Sequence, residues 1–224
     1  MIADYLIFVK PAAVFNEVSM KKILSFILLS IALSISLVFC ACAKRSPVDN
    51  EPESPVAGES SILIAYFTWS GNSRQLANWV AKYTGGEIFR IVPEKAYPET
   101  YGDATKQAKE ELNNGTRPAL STHIDEQIMA GYETVFLGFP IWWYELPMSV
   151  VTFLEEYDFS GKTVIPFFTH GGTSDGGTSL TTLKSLLPDS QVLTDDAISI
   201  ANGKIEKSEN DIQQWIANLG YARD

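Results

Sequence analysis

The sequence predicts an α/β domain over residues 61–224, a parallel sheet covered by helices on both faces. Two observations carry this. Short apolar runs alternate with helix-length amphipathic segments, and the runs are apolar along their whole length rather than at every second residue, as strands buried on both faces require.

The elements follow in order. SILIAYF (Ser61 to Phe67) is the first buried strand. NSRQLANWVAKYTG (Asn72 to Gly85) places Leu76, Trp79, Val80 and Tyr83 at helical spacing, with Gly85 as the stop. EIFRIV is the second strand, and a polar helical pattern runs from Tyr101 to Asn113, broken by Asn114-Gly115 and Pro118. TVFLGFPIW (Thr134 to Trp142) is a third strand entering a loop, and Pro147 introduces a helix from Met148 to Tyr157. KTVIPFFTH (Lys162 to His170) is the fourth strand, TSLTTLKSLLP a helix ended by Pro188, QVL a short fifth strand and NDIQQWIANLG the closing helix.

Composition removes several classes. The 224 residues carry 27 Asp and Glu against 17 Lys and Arg, a net charge near -10, so this is no basic nucleic-acid binder. At 46% hydrophobic residues it is no disordered chain, and two cysteines do not make a disulfide-stapled mini-protein. The predicted domain alone holds 21 acids and 12 bases, a net charge of -9 that fits plain solubility and also a basic partner.

Upstream of that domain the chain reads as an export signal. Met20-Lys21-Lys22 precedes an apolar run from Ile23 to Phe39, then Cys40-Ala41-Cys42. A retained membrane anchor is the alternative, though a spanning helix needs about 20 apolar residues. A bacterial lipoprotein signal, which ends in a small residue and then a cysteine, fits Ala41-Cys42 and not Phe39-Cys40. Cys42 is therefore the expected lipidated residue, within a segment 1–42 whose first 19 residues lie upstream of a complete signal. Residues 43–60, with three prolines and many charges, read as a flexible tether. The expected location is extracytoplasmic, with the membrane touched only through lipid. The signal has no twin arginine, so any cofactor would be acquired after export.

In parallel sheets ligands lie beyond the carboxyl ends of the strands. Loop one is Thr68-Trp69-Ser70-Gly71-Asn72-Ser73, between a strand and a helix, with three hydroxyls, a glycine and the free N–H groups of a helix start. Together these suit a phosphate. It is neither G-x-x-x-x-G-K-[ST] nor G-x-G-x-x-G, and ordinary helix capping by Ser70 or Asn72 is the plain alternative. Loop two, Gly138 to Pro147, holds Pro140, Ile141, Trp142, Trp143 and Tyr144; three adjacent aromatics need a flat partner or a packed corner in which one tryptophan turns inward. Loop three, Thr169 to Gly177, holds His170, Gly171 and Gly172, and four glycines in seven residues let backbone amides approach a ligand, as they would in any glycine-rich turn.

T-W-S-G-N-S resembles the phosphate loop of the flavodoxin family, T/S-x-T/S-G-x-T/S, and the other two loops stand where that family has its flavin contacts. The resemblance covers nearly all of residues 61–224 and implies a doubly wound five-stranded parallel sheet in the order 2-1-3-4-5. It also implies bound FMN, held at its phosphate by Thr68, Ser70, Asn72, Ser73 and the Trp69 amide, with Arg74 the nearest base. Loop two would lie along the ring and loop three along its pyrimidine edge. Loop three has no aromatic, which leaves the outer flavin face open. The family's turn facing flavin N5 often has glycine; Trp142, Trp143 and Tyr144 stand there instead, and such residues disfavour φ > 0.

No catalytic side chain or metal site is expected. His123 and His170 are the only histidines, the predicted domain has no cysteine, and neither histidine is tied to a nucleophile. Three functions follow: an FMN-binding electron carrier with a redox partner protein or quinone, an FMN-dependent reductase of quinones or nitro compounds using NAD(P)H, or a flavin-free interaction module.

Overall fold

The computed structural model describes residues 60–172 and 175–223. The expected signal, Cys42 and the tether up to residue 59 lie outside them. Strands β1 (Ile62–Tyr66), β2 (Glu87–Arg90), β3 (Thr134–Pro140), β4 (Thr163–His170), β5 (Gln191–Val192) and β6 (Ile198–Ala201) form one sheet. Helices α1 (Asn72–Thr84), α2 (Tyr101–Asn114), α3 (Glu126–Gly131), α4 (Met148–Glu156), α5 (Ser179–Leu186) and α6 (Glu209–Leu219) connect and cover it, with a 3-10 helix at Asn202–Lys207.

Every ladder is parallel, and the order is β2-β1-β3-β4-β5, as expected. Alternate side chains of the central strands divide the core in two. Leu63, Ala65, Val135, Leu137, Val164 and Phe168 face one cluster with Val150, Phe153 and Leu154 of α4 and Leu183 of α5. Ile64, Tyr66, Phe136, Ile165 and Phe167 face the other, under Leu76 and Val80 of α1 and Ile212 and Ile216 of α6. Both faces are thus covered, which is why these strands carry no polar alternation. Gly138 interrupts the apolar run of β3 for a steric reason: a Cβ there would overlap the Phe167 ring on the neighbouring strand.

The sheet departs from five strands at its edge. β5 pairs only with Thr163 and Val164, and β6 pairs further along with Phe167 to His170. Pro166 sits in the gap. The Thr163 N–H points toward β3, donating to Glu133 O at 2.9 Å, while Val164 O faces the edge and accepts from Leu193 N–H at 2.9 Å. By alternation the Pro166 nitrogen faces the edge, where it has no hydrogen to donate. The edge strand breaks at that point, and the intervening turn is held by Trp215 Nε1 donating to Asp196 O at 2.6 Å.

Helix boundaries follow local chemistry. Gly85, Gly115 and Gly220 end α1, α2 and α6 in the left-handed conformation. The short α3, which has no counterpart in the sequence reading, is capped by Asp125, whose side chain accepts from the amides of Gln127 and Ile128. Among the described residues no helix is long and apolar enough to cross a membrane.

Candidate functional site

Loop one follows β1 directly. Thr68 Oγ1 accepts the Gly71 N–H at 3.0 Å, folding the loop back on itself, and Gly71 takes φ 92° at the N-cap of α1. No side chain caps this helix, so the alternative of capping by Ser70 or Asn72 is not what the chain adopts. The partial positive charge of the helix start is left to the space in front of it. Arg74 Nη2 would lie 3.8 Å from a Cβ placed on Gly71, which puts its guanidinium beside the loop.

Loop two is tied to the end of β4 by Ile141 N–H donating to Thr169 O at 2.8 Å. Trp142 turns inward, its ring edge-on to Phe67 at 5.4 Å and to Tyr97 at 4.9 Å. Tyr97 is in turn fixed by its hydroxyl donating to Glu111 Oε2 at 2.5 Å, and burial together with that carboxylate holds its phenol well above the ordinary range. The inward tryptophan is therefore Trp142, while Trp143 and Tyr144 stay 46% and 60% exposed.

The turn that carries them corrects a sequence expectation. Trp142 and Glu145 exchange both backbone hydrogen bonds, at 3.1 and 3.0 Å, and the two residues between have φ of 54° and 64°. Trp143 and Tyr144 are the non-glycine residues with positive φ among the described residues. Each left-handed residue costs about 1–2 kcal/mol. Contacts from two helices offset this. Trp143 Nε1 donates to Thr105 O at 2.9 Å on α2, with Lys109 Nζ 4.9 Å from the indole centroid. Tyr144 O accepts from Thr178 N–H at 2.9 Å and from Thr178 Oγ1 at 3.0 Å. The Glu145 carboxylate takes the hydroxyls of Thr178 and Thr182, both at 2.8 Å.

Loop three begins at buried Thr169, whose Oγ1 lies 3.4 Å from Ser73 Oγ across the site. The next residue, His170, accepts the Gly172 N–H at Nδ1, 3.0 Å away. Burial first, then the Lys204 ammonium, holds its imidazole below the ordinary value.

These loops enclose a cavity of about 510 Å³. Thr68, Trp69, Ser70, Asn72 and Ser73 line one part of it, Pro140, Ile141, Trp142, Trp143 and Tyr144 another, and Thr169, His170 and Gly171 the third. Gly71 and Gly172 shape the backbone, at φ 92° and 113°, without lining the space. Three lining residues were not foreseen: Tyr101 and Thr105 from α2, and Asn202 from the 3-10 helix after β6. Tyr101 sits near Trp69, with ring centroids 6.2 Å apart, so an aromatic does flank the cavity even though loop three has none. Asn202-Gly203 after the apolar ISIA run was the sequence signal for one of them.

A doubly wound parallel sheet with a polar, uncapped helix start and an aromatic wall in one cavity defines the class of flavodoxin-like α/β proteins. Residues 61–219 match the family model for flavodoxin, and the chain belongs to that family. Among curated proteins none matches the chain. Solved structures do. A candidate flavoprotein from Bacteroides uniformis is 31% identical, covering 70% of this chain and 97% of its own, with a TM-score of 0.60. Another from Bacteroides eggerthii is 31% identical over 71% and 97% of the two chains, with a TM-score of 0.59. A Lactobacillus acidophilus flavoprotein in complex with FMN shares 19% identity over 65% and 96%, with a TM-score of 0.51, a likeness of fold.

Proposed function

We propose that the domain binds FMN in this cavity and acts as an electron carrier. One observation supports this most: the helix start that no side chain caps, fronted by hydroxyls, shares a single cavity with an aromatic wall. A phosphate needs the first and a flat ring the second. The hydroxyls of Thr68, Ser70 and Ser73, the Asn72 amide and the amides of the first turn of α1 would hold the phosphate. The wall from Trp142 to Tyr144 would lie against the ring, and the loop from Thr169 to Gly172 along its polar edge. Bound FMN supplies the redox chemistry, while these residues bind it, orient it and exclude water from one side. Stoichiometric quenching of FMN fluorescence by the purified protein tests this, and absence of quenching with folded protein opposes it. The flavin-free interaction module is the reading that such a result would favour.

A second reading has its own observation. Tyr101, Trp143 and Tyr144 are the exposed large hydrophobic residues of the described chain, and all three line this cavity. An aromatic rim suits a second planar molecule, as in an FMN-dependent reductase of quinones or nitro compounds. Steady NAD(P)H consumption with a quinone, with no added reductase, separates this enzyme from a carrier.

We further propose that the chain is a lipoprotein anchored through Cys42 on the extracytoplasmic side of a bacterial membrane, where it meets its redox partner protein or a quinone. The Lys21-Lys22 start, the apolar run and Ala41-Cys42 support this. Labelled palmitate should enter the wild type and Cys40→Ser but not Cys42→Ser.

A further inference from the structure

The bond between His170 and Gly172 fixes more than a loop. A backbone N–H can only donate, so His170 Nδ1, 3.0 Å from the Gly172 nitrogen, must be the unprotonated acceptor. The ring is therefore neutral, and its hydrogen is on Nε2. Protonation would make both ring nitrogens donors, and the imidazolium could not keep this contact.

The surroundings favour the neutral form. His170 ends β4 at the cavity, beside Thr169 and Gly171, with Asn202 of the 3-10 helix lining the same space. The charged group that acts on it is the Lys204 ammonium of that 3-10 helix, which opposes a second positive charge. Burial acts in the same direction. Gly172 takes φ 113°, a conformation open to glycine, and its N–H is held by this bond to the imidazole.

We propose that His170 is a positioning residue whose neutral ring holds the Gly171-Gly172 backbone in its binding conformation, and that its protonation releases this backbone and weakens flavin binding at acid pH. The second half rests on the reading of the cavity as an FMN site; the first half does not. Charge alone predicts the opposite sign, because an imidazolium would attract an anionic ligand. The proposal thus requires that losing the positioning contact outweighs the gained attraction.

The His170→Asn variant separates these effects. The Asn side chain can offer an acceptor near the Nδ1 position and carries no titrating charge. In ligand-free protein, the Gly172 amide signal should move with the His170 ring signal through one acid-side titration below the ordinary imidazole value, and that movement should vanish in His170→Asn. A Gly172 amide that stays fixed while His170 titrates overturns the proposal. FMN affinities of both proteins at pH 8 and pH 5 test the second half, since titration of the FMN phosphate is common to both. The wild type should lose about fivefold more affinity than His170→Asn between these pH values, the scale of one neutral hydrogen bond. Equal losses, or a wild type that gains on the variant, overturn it. If neither protein binds FMN at pH 8, the cofactor reading fails while the amide titration still decides the role of His170.

Discussion

Ser73 and Thr169 lie 96 positions apart, yet their buried hydroxyls stand 3.4 Å from each other. Ser73 lies in the first turn of α1 and Thr169 is the penultimate residue of β4, so this contact joins loop one to loop three. With Ile141 N–H on Thr169 O, it makes Thr169 the point where all three loops meet. A cavity assembled this way needs little ordering when a ligand enters, which favours affinity.

The phosphate assignment is tested at Ser70, which is exposed and lines the cavity. Ser70→Asp puts a carboxylate against the helix start, where it would repel the phosphate. FMN binding by fluorescence quenching should fall at least 100-fold, with an unchanged circular dichroism spectrum. Unchanged affinity places the phosphate elsewhere.

The left-handed turn is tested by comparing two variants at Tyr144. Both Tyr144→Ala and Tyr144→Gly remove the ring, but only glycine accepts φ 64° without strain. The glycine variant should be the more stable by about 1 kcal/mol in urea unfolding. At an ordinary position alanine is favoured by roughly 0.5–1 kcal/mol, so the order of the two reports the backbone directly.

Gly138 is tested through its neighbour. A Cβ there would meet the Phe167 ring and come 3.0 Å from Tyr66 Cβ. Gly138→Ala should destabilise the domain by about 1–3 kcal/mol, the usual range for overpacking. Adding Phe167→Leu should recover part of the loss, and strict additivity of the two would argue against the contact.

A surface pair supplies the pH test. His123 Nδ1 lies 2.5 Å from Glu156 Oε1, and this bond raises the imidazole above its ordinary value of 6.5. Because the folded value is the higher, the stabilisation is complete below the unfolded value and is lost as pH rises through the folded one. The pair is largely exposed, so its contribution is a few tenths of a kcal/mol. In Glu156→Gln, the His123 titration followed by NMR should move down toward 6.5; no movement removes Glu156 as the cause.

How much of this was legible in the sequence depends on whether a signal was local. The loops were found because each follows an apolar run that could only be a buried strand, and their residues do converge on one cavity. Tyr101 and Thr105 escaped because α2 is polar, and no periodicity tells which of its residues meets a ligand. The split edge did carry a signal, Pro166 inside a strand, whose significance depends on which neighbour its nitrogen faces. The φ of Trp143 and Tyr144 ran against local preference because Thr178, at the N-cap of α5, and Thr182, on that helix, hold the turn. Distant hydrogen bonds outweighed propensity there, and propensity was all the local sequence offered.

The most direct test of the central claim is thermal unfolding of the ligand-free domain with and without FMN. FMN at about 100 times its dissociation constant should add roughly 2.7 kcal/mol, raising Tm by several degrees, with a yellow protein at one flavin per chain. A colourless protein whose Tm does not respond to FMN would contradict the account.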